Sequence, residues 1–188
     1  MKSYIYILSL FMIVGCGTTT LEPMKNYTLI SYEQHISYTR YGSIQIMIPT
    51  FLKNQNSKKI YYTYSLLEQD SYTNSQWSEN LSKMIASNFV VYLDSTGIFK
   101  NVISFDTTLD SDYRLETIVY DISHHITKDT SIAKLDIKLF FIKNSTNKII
   151  KSKRFTYTAN TQTTDAKGFV EALNGLFVKL YSDMKILF

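Results

Sequence analysis

The residue in this chain best placed to do bond-making chemistry is its single cysteine, at the end of Ile13-Val14-Gly15-Cys16. Lys2 supplies a positive start, Tyr4 to Val14 an apolar middle, and Gly15 the small residue a signal peptidase requires at its cut. Cleavage over residues 1–15 leaves Cys16 as a new N-terminus, whose sulfur takes a diacylglyceryl group and whose amine takes a further acyl chain. Each buried methylene contributes about 0.8 kcal/mol, and two chains suffice for stable anchoring. The alternative, an uncleaved membrane helix, needs about 20 apolar residues, more than this leader holds. Gly17 follows the anchor where an aspartate would retain a lipoprotein at the inner membrane in many Gram-negative bacteria. The expectation is therefore a lipid anchor on Cys16 in the outer membrane, with the chain facing the periplasm.

Other constellations point to less. His124-His125 is the obvious metal candidate, but neighbours on a strand point to opposite faces, and the third histidine, His35, lies in a remote segment. Asp106, Asp110 and Asp112 lack the spacing and the glycine of a calcium loop and suit a turn. Six glycines form neither a phosphate loop nor a nucleophile elbow. No nucleophile, base and orienting group fall together, so a hydrolase would have to be built around His124 or Asp112 without visible support. The reading is no catalytic residue, no metal site and no cofactor.

Two groups of side chains remain as binding candidates. Tyr61, Tyr62, Tyr64, Tyr72 and Trp77 bracket the passage from a third strand into a first helix. Such a cluster docks a partner or covers a lipid groove if exposed, and is ordinary core if packed. Lys134, Lys138, Lys143, Lys148, Lys151, Lys153 and Arg154 fall in one expected hairpin, a footprint for anionic headgroups or an acidic partner. A solvated strand carrying lysines against edge pairing explains them better. The formal net charge of +4 falls to +3 without Lys2, too little to argue for nucleic acid. Fifteen tyrosines accompany many Lys, Ile and Asn residues, which is the mark of an A- and T-rich coding sequence rather than of a function.

The elements that must position these residues form one globular unit. About 170 residues remain after the leader, enough for one core. Residues 16–25, polar and containing Pro23, read as anchor and tether, reaching roughly 30 Å at most, and 26–188 as the domain. Strands are expected at Tyr27–Ile30, Ile44–Ile48 and Ile60–Leu66. Trp77, Leu81, Ile85, Phe89 and Tyr92 then recur at helical spacing, with Thr73 and Gln76 as a capping box and Gly97 as the stop. Strands follow at Phe99–Phe105 and Tyr113–Ile122, the latter with Leu115, Thr117 and Val119 opposed to Ile118, Tyr120 and Ile122. Ala133, Leu135, Ile137, Leu139 and Phe141 alternate cleanly with Lys134, Asp136 and Lys138, and Ile149–Tyr157 returns after the turn Asn144–Asn147. Phe169, Leu173, Leu176, Phe177, Leu180, Met184 and Leu187 form the stripe of a last helix, capped by Thr164 or Asp165. Gly175 inside it suggests close approach to a neighbour. The fold class is α+β, a mixed and largely antiparallel sheet with two main helices packed on it.

In this order of elements the chain resembles the ABC-type transport auxiliary lipoprotein family. The matching pieces are Cys16, Tyr27-Thr28-Leu29, Ile44-Gln45-Ile46 before Pro49, and Ile60-Tyr61-Tyr62 with Tyr72 and Trp77-Ser78-Glu79. Gly97-Ile98-Phe99 leading to Val102, Tyr113-Arg114-Leu115-Glu116 and Ala172-Leu173-Asn174 complete the series. The strand after Tyr113 lacks the basic-aromatic ending of relatives, and the loop Asn54–Lys59 is polar and featureless. The resemblance implies a non-catalytic component of a lipid-trafficking path, partnered by an ABC permease and ATPase and by a mammalian-cell-entry-domain protein. Phospholipid contact and self-association fit that role, and only Cys16 carries over as a defined site. The rival expectation is a lipoprotein regulator or assembly factor for a cell-envelope machine, such as a cell-wall synthase activator.

Overall fold

Ser131–Lys143 is the strand from which the rest is built, because its alternation gives it one face for a core and one for water. Ala133, Leu135, Ile137, Leu139 and Phe141 are fully buried on one side, and at about 1.5–3 kcal/mol for each large apolar side chain that face alone drives the packing of what covers it. The structure is a computed structural model that describes residues 22–34, 40–65 and 67–188. The leader, Cys16 and His35 lie outside them. In chain order the strands are β1 (Lys25–Tyr27), β2 (Tyr41–Ile46), β3 (Thr50–Phe51), β4 (Lys59–Thr63), β5 (Gln69–Trp77), β6 (Phe99–Ile103), β7 (Tyr113–Ile126), β8 (Ser131–Lys143) and β9 (Lys148–Asn160). The helices are α1 (Leu81–Thr96), between β5 and β6, and α2 (Ala166–Met184), after β9. No helix among the described residues is long and apolar enough to cross a membrane.

The long antiparallel pairings β7–β8 and β8–β9 make the body of a mixed sheet. The other edge of β7 is met by a segmented line. β2, β3 and β4 run parallel to it one after another, with Ile44 opposite Tyr113, Thr50 opposite Ile118 and Tyr62 opposite His124. Between β3 and β4 the chain leaves the sheet over residues 52–58 and returns. Beyond β4 lie β5, antiparallel, and β1, parallel, while β6 flanks β2. Both helices cover the same face, where Tyr92 of α1 stacks on Tyr181 of α2 at a centroid distance of 4.8 Å.

The last helix is as expected. Its whole stripe from Phe169 to Leu187 is buried, and the Asp165 carboxylate accepts the Gly168 N–H at 2.9 Å, the cap that satisfies one of the four free amides of the first turn. Gly97 ends α1 at φ 66°, a conformation that glycine adopts without the Cβ penalty. Three expectations are corrected. Thr73 and Gln76 cap no helix: they lie within β5, Trp77 ends that strand, and α1 begins at Leu81 behind Asn80. Five strands therefore precede α1, and β5 exists in spite of its polar residues because β4 and β1 pair with it on both sides. A bulge between Val119 and Asp121 shifts the register of β7, so that Ile122, opposite Leu135, joins Leu115 and Val119 on the helix side instead of opposing them. Finally, a Cβ at Gly175 would meet nothing within 4 Å: no neighbouring element approaches it.

Candidate functional site

The bulge separates the two consecutive histidines of β7 into two environments. His124 turns toward the helices and is fully buried. Its ring lies flat on Phe169 of α2, 5.1 Å between centroids and 7° between planes. Its Nδ1 is 2.7 Å from the Tyr72 hydroxyl of β5, and its Nε2 2.8 Å from Ser131 Oγ of β8. The Tyr72 hydroxyl donates to Thr164 O at 3.1 Å. Ser131 Oγ in turn lies 2.6 Å from Thr161 Oγ1, so both ring nitrogens of His124 end in chains of hydroxyl groups. Burial drives the His124 pKa down to about 4, against an opposing pull from Asp165, so the ring is neutral at ordinary pH. Burial likewise pushes the Tyr72 hydroxyl up, out of any working range. A serine beside a histidine is the usual material of nucleophilic catalysis. Here the histidine is sealed and held neutral, and the set ties β5, β7, β8 and the start of α2 together.

This knot is the inner part of a row of rings. Tyr64 meets Tyr62 edge-on at 5.2 Å, Tyr62 meets Tyr72 at 4.8 Å, and Phe169 meets Trp77 at 6.2 Å. Tyr64 is 60% exposed and Trp77 only 2%, so the row runs from solvent into the core. Of the aromatic residues singled out in the sequence, Tyr62 and Tyr72 come together on the helix side, and Trp77 joins them through Phe169 and His124. Trp77 offers no surface to a partner. Tyr61 is half-buried on the opposite side of β4, where its hydroxyl accepts from Ser57 at 3.3 Å.

His125 turns the other way, onto the open face of the sheet, and its Nδ1 lies 2.8 Å from Thr63 Oγ1. It borders a cleft of about 310 Å³ with Lys53, Gln55, Asp121, Ile132 and Lys134. The cleft is built by the excursion at 52–58. Where the chain leaves β7, the Ile122 N–H would lack a partner, and Gln55 supplies one: its Oε1 accepts that N–H at 3.1 Å and its Nε2 donates to Asp121 Oδ1 at 3.2 Å. Gln55 is 3% exposed. Lys53 Nζ stands 3.0 Å and Lys134 Nζ 3.3 Å from Asp121 Oδ2. Burial alone would favour a protonated Asp121, but the two ammonium groups and Gln55 outweigh it and hold the carboxyl below its ordinary range. The neighbouring Asp136 is matched by its own cation, with Arg154 Nε and Nη2 each 2.7 Å from its oxygens.

Residues 27–184 match the model of a family described as the ABC-type transport auxiliary lipoprotein component. The chain belongs to that family. Its fold is similar to the crystal structure of a protein from Xanthomonas campestris, with a TM-score of 0.67 and 15% identity over 86% of this chain and 87% of the other. It is likewise similar to a crystallised uncharacterized protein, with a TM-score of 0.66 and 14% identity over 87% and 97% of the two chains. A comparison with curated proteins finds no match.

In this auxiliary lipoprotein the other residues singled out in the sequence have structural tasks. Asp112 accepts from Ser43 N at 2.7 Å and Ser43 Oγ at 2.9 Å, joining β2 to the start of β7. These bonds hold its carboxyl below the usual range. Five of the seven cations of the basic hairpin have partners within the chain. Lys134 and Arg154 serve the two aspartates, Lys138 lies over Phe140 at 4.7 Å, Lys153 over Phe155 at 5.3 Å, and Lys151 donates to Ile186 O at 3.0 Å. Lys53, Gln55 and Asp121 went unnoticed in the sequence. The usable signal was Asp121 itself, a carboxylate in the middle of an apolar strand, which must find cations to be buried there.

Proposed function

We propose that this auxiliary component is a non-catalytic adaptor, anchored through acylated Cys16 to the outer membrane and facing the periplasm. There it joins an ABC permease and ATPase to a mammalian-cell-entry-domain protein in moving lipid. Residues 1–15 are the signal peptide, 16–25 the anchor and tether, and 26–188 the working domain. The family match over 27–184, behind the Ile13–Cys16 leader, is the observation that carries this reading. The burial and neutrality of His124 support the absence of catalysis, since the Ser131–His124 pair has no access to a substrate. Tyr64 and Tyr62 form the solvent-reaching end of the aromatic row where the partner makes contact, with Tyr72 behind them and Tyr61 presented on the opposite side of β4. Trp77 supports that surface from beneath.

Crosslinking in intact cells followed by recovery of the full lipoprotein tests the reading, with mass spectrometry of its N-terminus. The expected result is a triacylated Cys16 and recovery of a mammalian-cell-entry-domain protein, weakened by Tyr62→Ala. An unmodified Cys16, or recovery of a cell-wall synthase in place of the transport proteins, would overturn it.

A further inference from the structure

The cleft on the open face is charged in a way that structure alone does not require. One ammonium neutralises one carboxylate, and Gln55 already satisfies the backbone left open by the excursion. Yet Lys53 and Lys134 both stand within 3.3 Å of the same Asp121 oxygen. Two positive charges against one negative leave one positive charge uncompensated on the cleft floor, and Arg154 already neutralises the adjacent Asp136. The lysine side chains remain 53% and 37% exposed, and each ammonium has three donors, of which Asp121 takes one. Thr63, Ser123 and Thr158 add hydroxyls around the same space, and Ile132 with the lysine methylenes gives it an apolar wall.

A divalent cation is repelled by the paired ammonium groups, and a dianion would overshoot the single charge. We infer that the cleft is a binding site for a monoanionic oxyanion, a phosphodiester or a carboxylate, attached to a short apolar body. At about 310 Å³ it takes a headgroup and the first methylenes behind it rather than a whole diacyl lipid. Lys53 and Lys134 bind the anion, the hydroxyls orient it, and Asp121 holds the two lysines in place. The site rests on the geometry of the cleft and not on the transport reading. An empty cleft would leave the crosslinked partners unchanged, and loss of those partners would leave the cleft able to bind.

The test is a titration of the full lipidated protein in neutral detergent, following backbone amide signals in an NMR spectrum. The probes are glycerophosphoglycerol, hexanoate, and glycerophosphocholine, which carries the same diester with a compensating cation. Saturable shifts at Thr63, Ser123, Ile132 and Lys134 are expected with glycerophosphoglycerol or hexanoate, and weaker ones with glycerophosphocholine. Preference for the first identifies a phospholipid headgroup as the source, and preference for the second a fatty acid. Lys53→Met, at a side chain more than half exposed, should weaken binding about tenfold, the size of one lost charge-assisted hydrogen bond. Absence of saturable shifts in the cleft with all probes would overturn the inference. So would equal affinity for glycerophosphocholine, or a Lys53→Met protein that folds and binds as tightly as the parent.

Discussion

Two consecutive residues, His124 and His125, open onto two faces of one sheet that solve opposite problems. On the helix side every polar atom of His124 is matched and every ring has a ring beside it, ending at a fully buried Phe169. On the open side the polar atoms are arranged around space, and two lysines share one aspartate. A closed network fixes the relative position of the strands and α2, while an incompletely balanced one can answer to something outside the molecule. The difference teaches where to expect stability and where to expect binding: substitutions on the helix side should be felt in folding, and those in the cleft mainly in recognition.

The largest expected effect lies on the closed side. Phe169→Ala removes the ring that stacks on His124 and meets Trp77, and should lower unfolding free energy by about 3–5 kcal/mol. Chemical denaturation would measure it, and a loss below 1 kcal/mol would mean that the two faces are not as different as their packing suggests. The second effect concerns pH. An unfolded histidine takes up its proton near pH 6.5 and folded His124 only at about 4. Between those values the unfolded chain binds more protons. The contribution is therefore fully present above pH 6.5 and is lost as the pH falls toward 4, on the order of 3 kcal/mol in all. The slope of stability against pH in that window should flatten in His124→Asn relative to the parent. An unchanged slope would remove His124 as its cause.

The parts of this arrangement that depend on local pattern were legible in the sequence, and those that depend on distant pairing were not. The alternation from Ala133 to Phe141 and the stripe from Phe169 to Leu187 placed β8 and α2, because burial of one face follows directly from period. The cap at Asp165 and the stop at Gly97 followed from short-range backbone chemistry. β5 was invisible because Gln69-Asp70-Ser71 and Thr73-Asn74-Ser75-Gln76 have little intrinsic preference for a strand, and only their two neighbours make them one. The bulge near Val119 hid the same way: it moves Ile122 to the other face without any signal in residue type. Gln55 lies 66 residues from the aspartate it serves, in a segment whose polarity reads as loop. The cleft was therefore the least legible feature, although Asp121 marked where to look.

Gln55 is also where the open side makes its own contribution to folding. Gln55→Ala strips the Ile122 N–H and one Asp121 oxygen of their partners. An unsatisfied buried group costs about 1–3 kcal/mol, so the loss should fall below that of Phe169→Ala. Hydrogen exchange at Ile122 would report it directly, with faster exchange there than at Leu115 on the same strand. Equal rates would show that the excursion at 52–58 is not what closes that backbone.

The smallest effect separates two glycines of α2. At Gly168 a Cβ would lie 2.4 Å from the Thr163 carbonyl oxygen, so the Asp165 cap needs glycine there for lack of room. Gly175 has nothing within 4 Å and sits exposed on the outer side of the helix. Alanine at 175 restricts the unfolded chain without meeting any atom of the folded one, and should raise stability by about 0.4–1 kcal/mol. A shift of the thermal midpoint upward would confirm that this flank of α2 is free in the isolated protein. A loss of stability would mean that residues not in contact with Gly175 in this structure press against it in solution, and the outer surface of α2 would then belong with the closed side of the molecule.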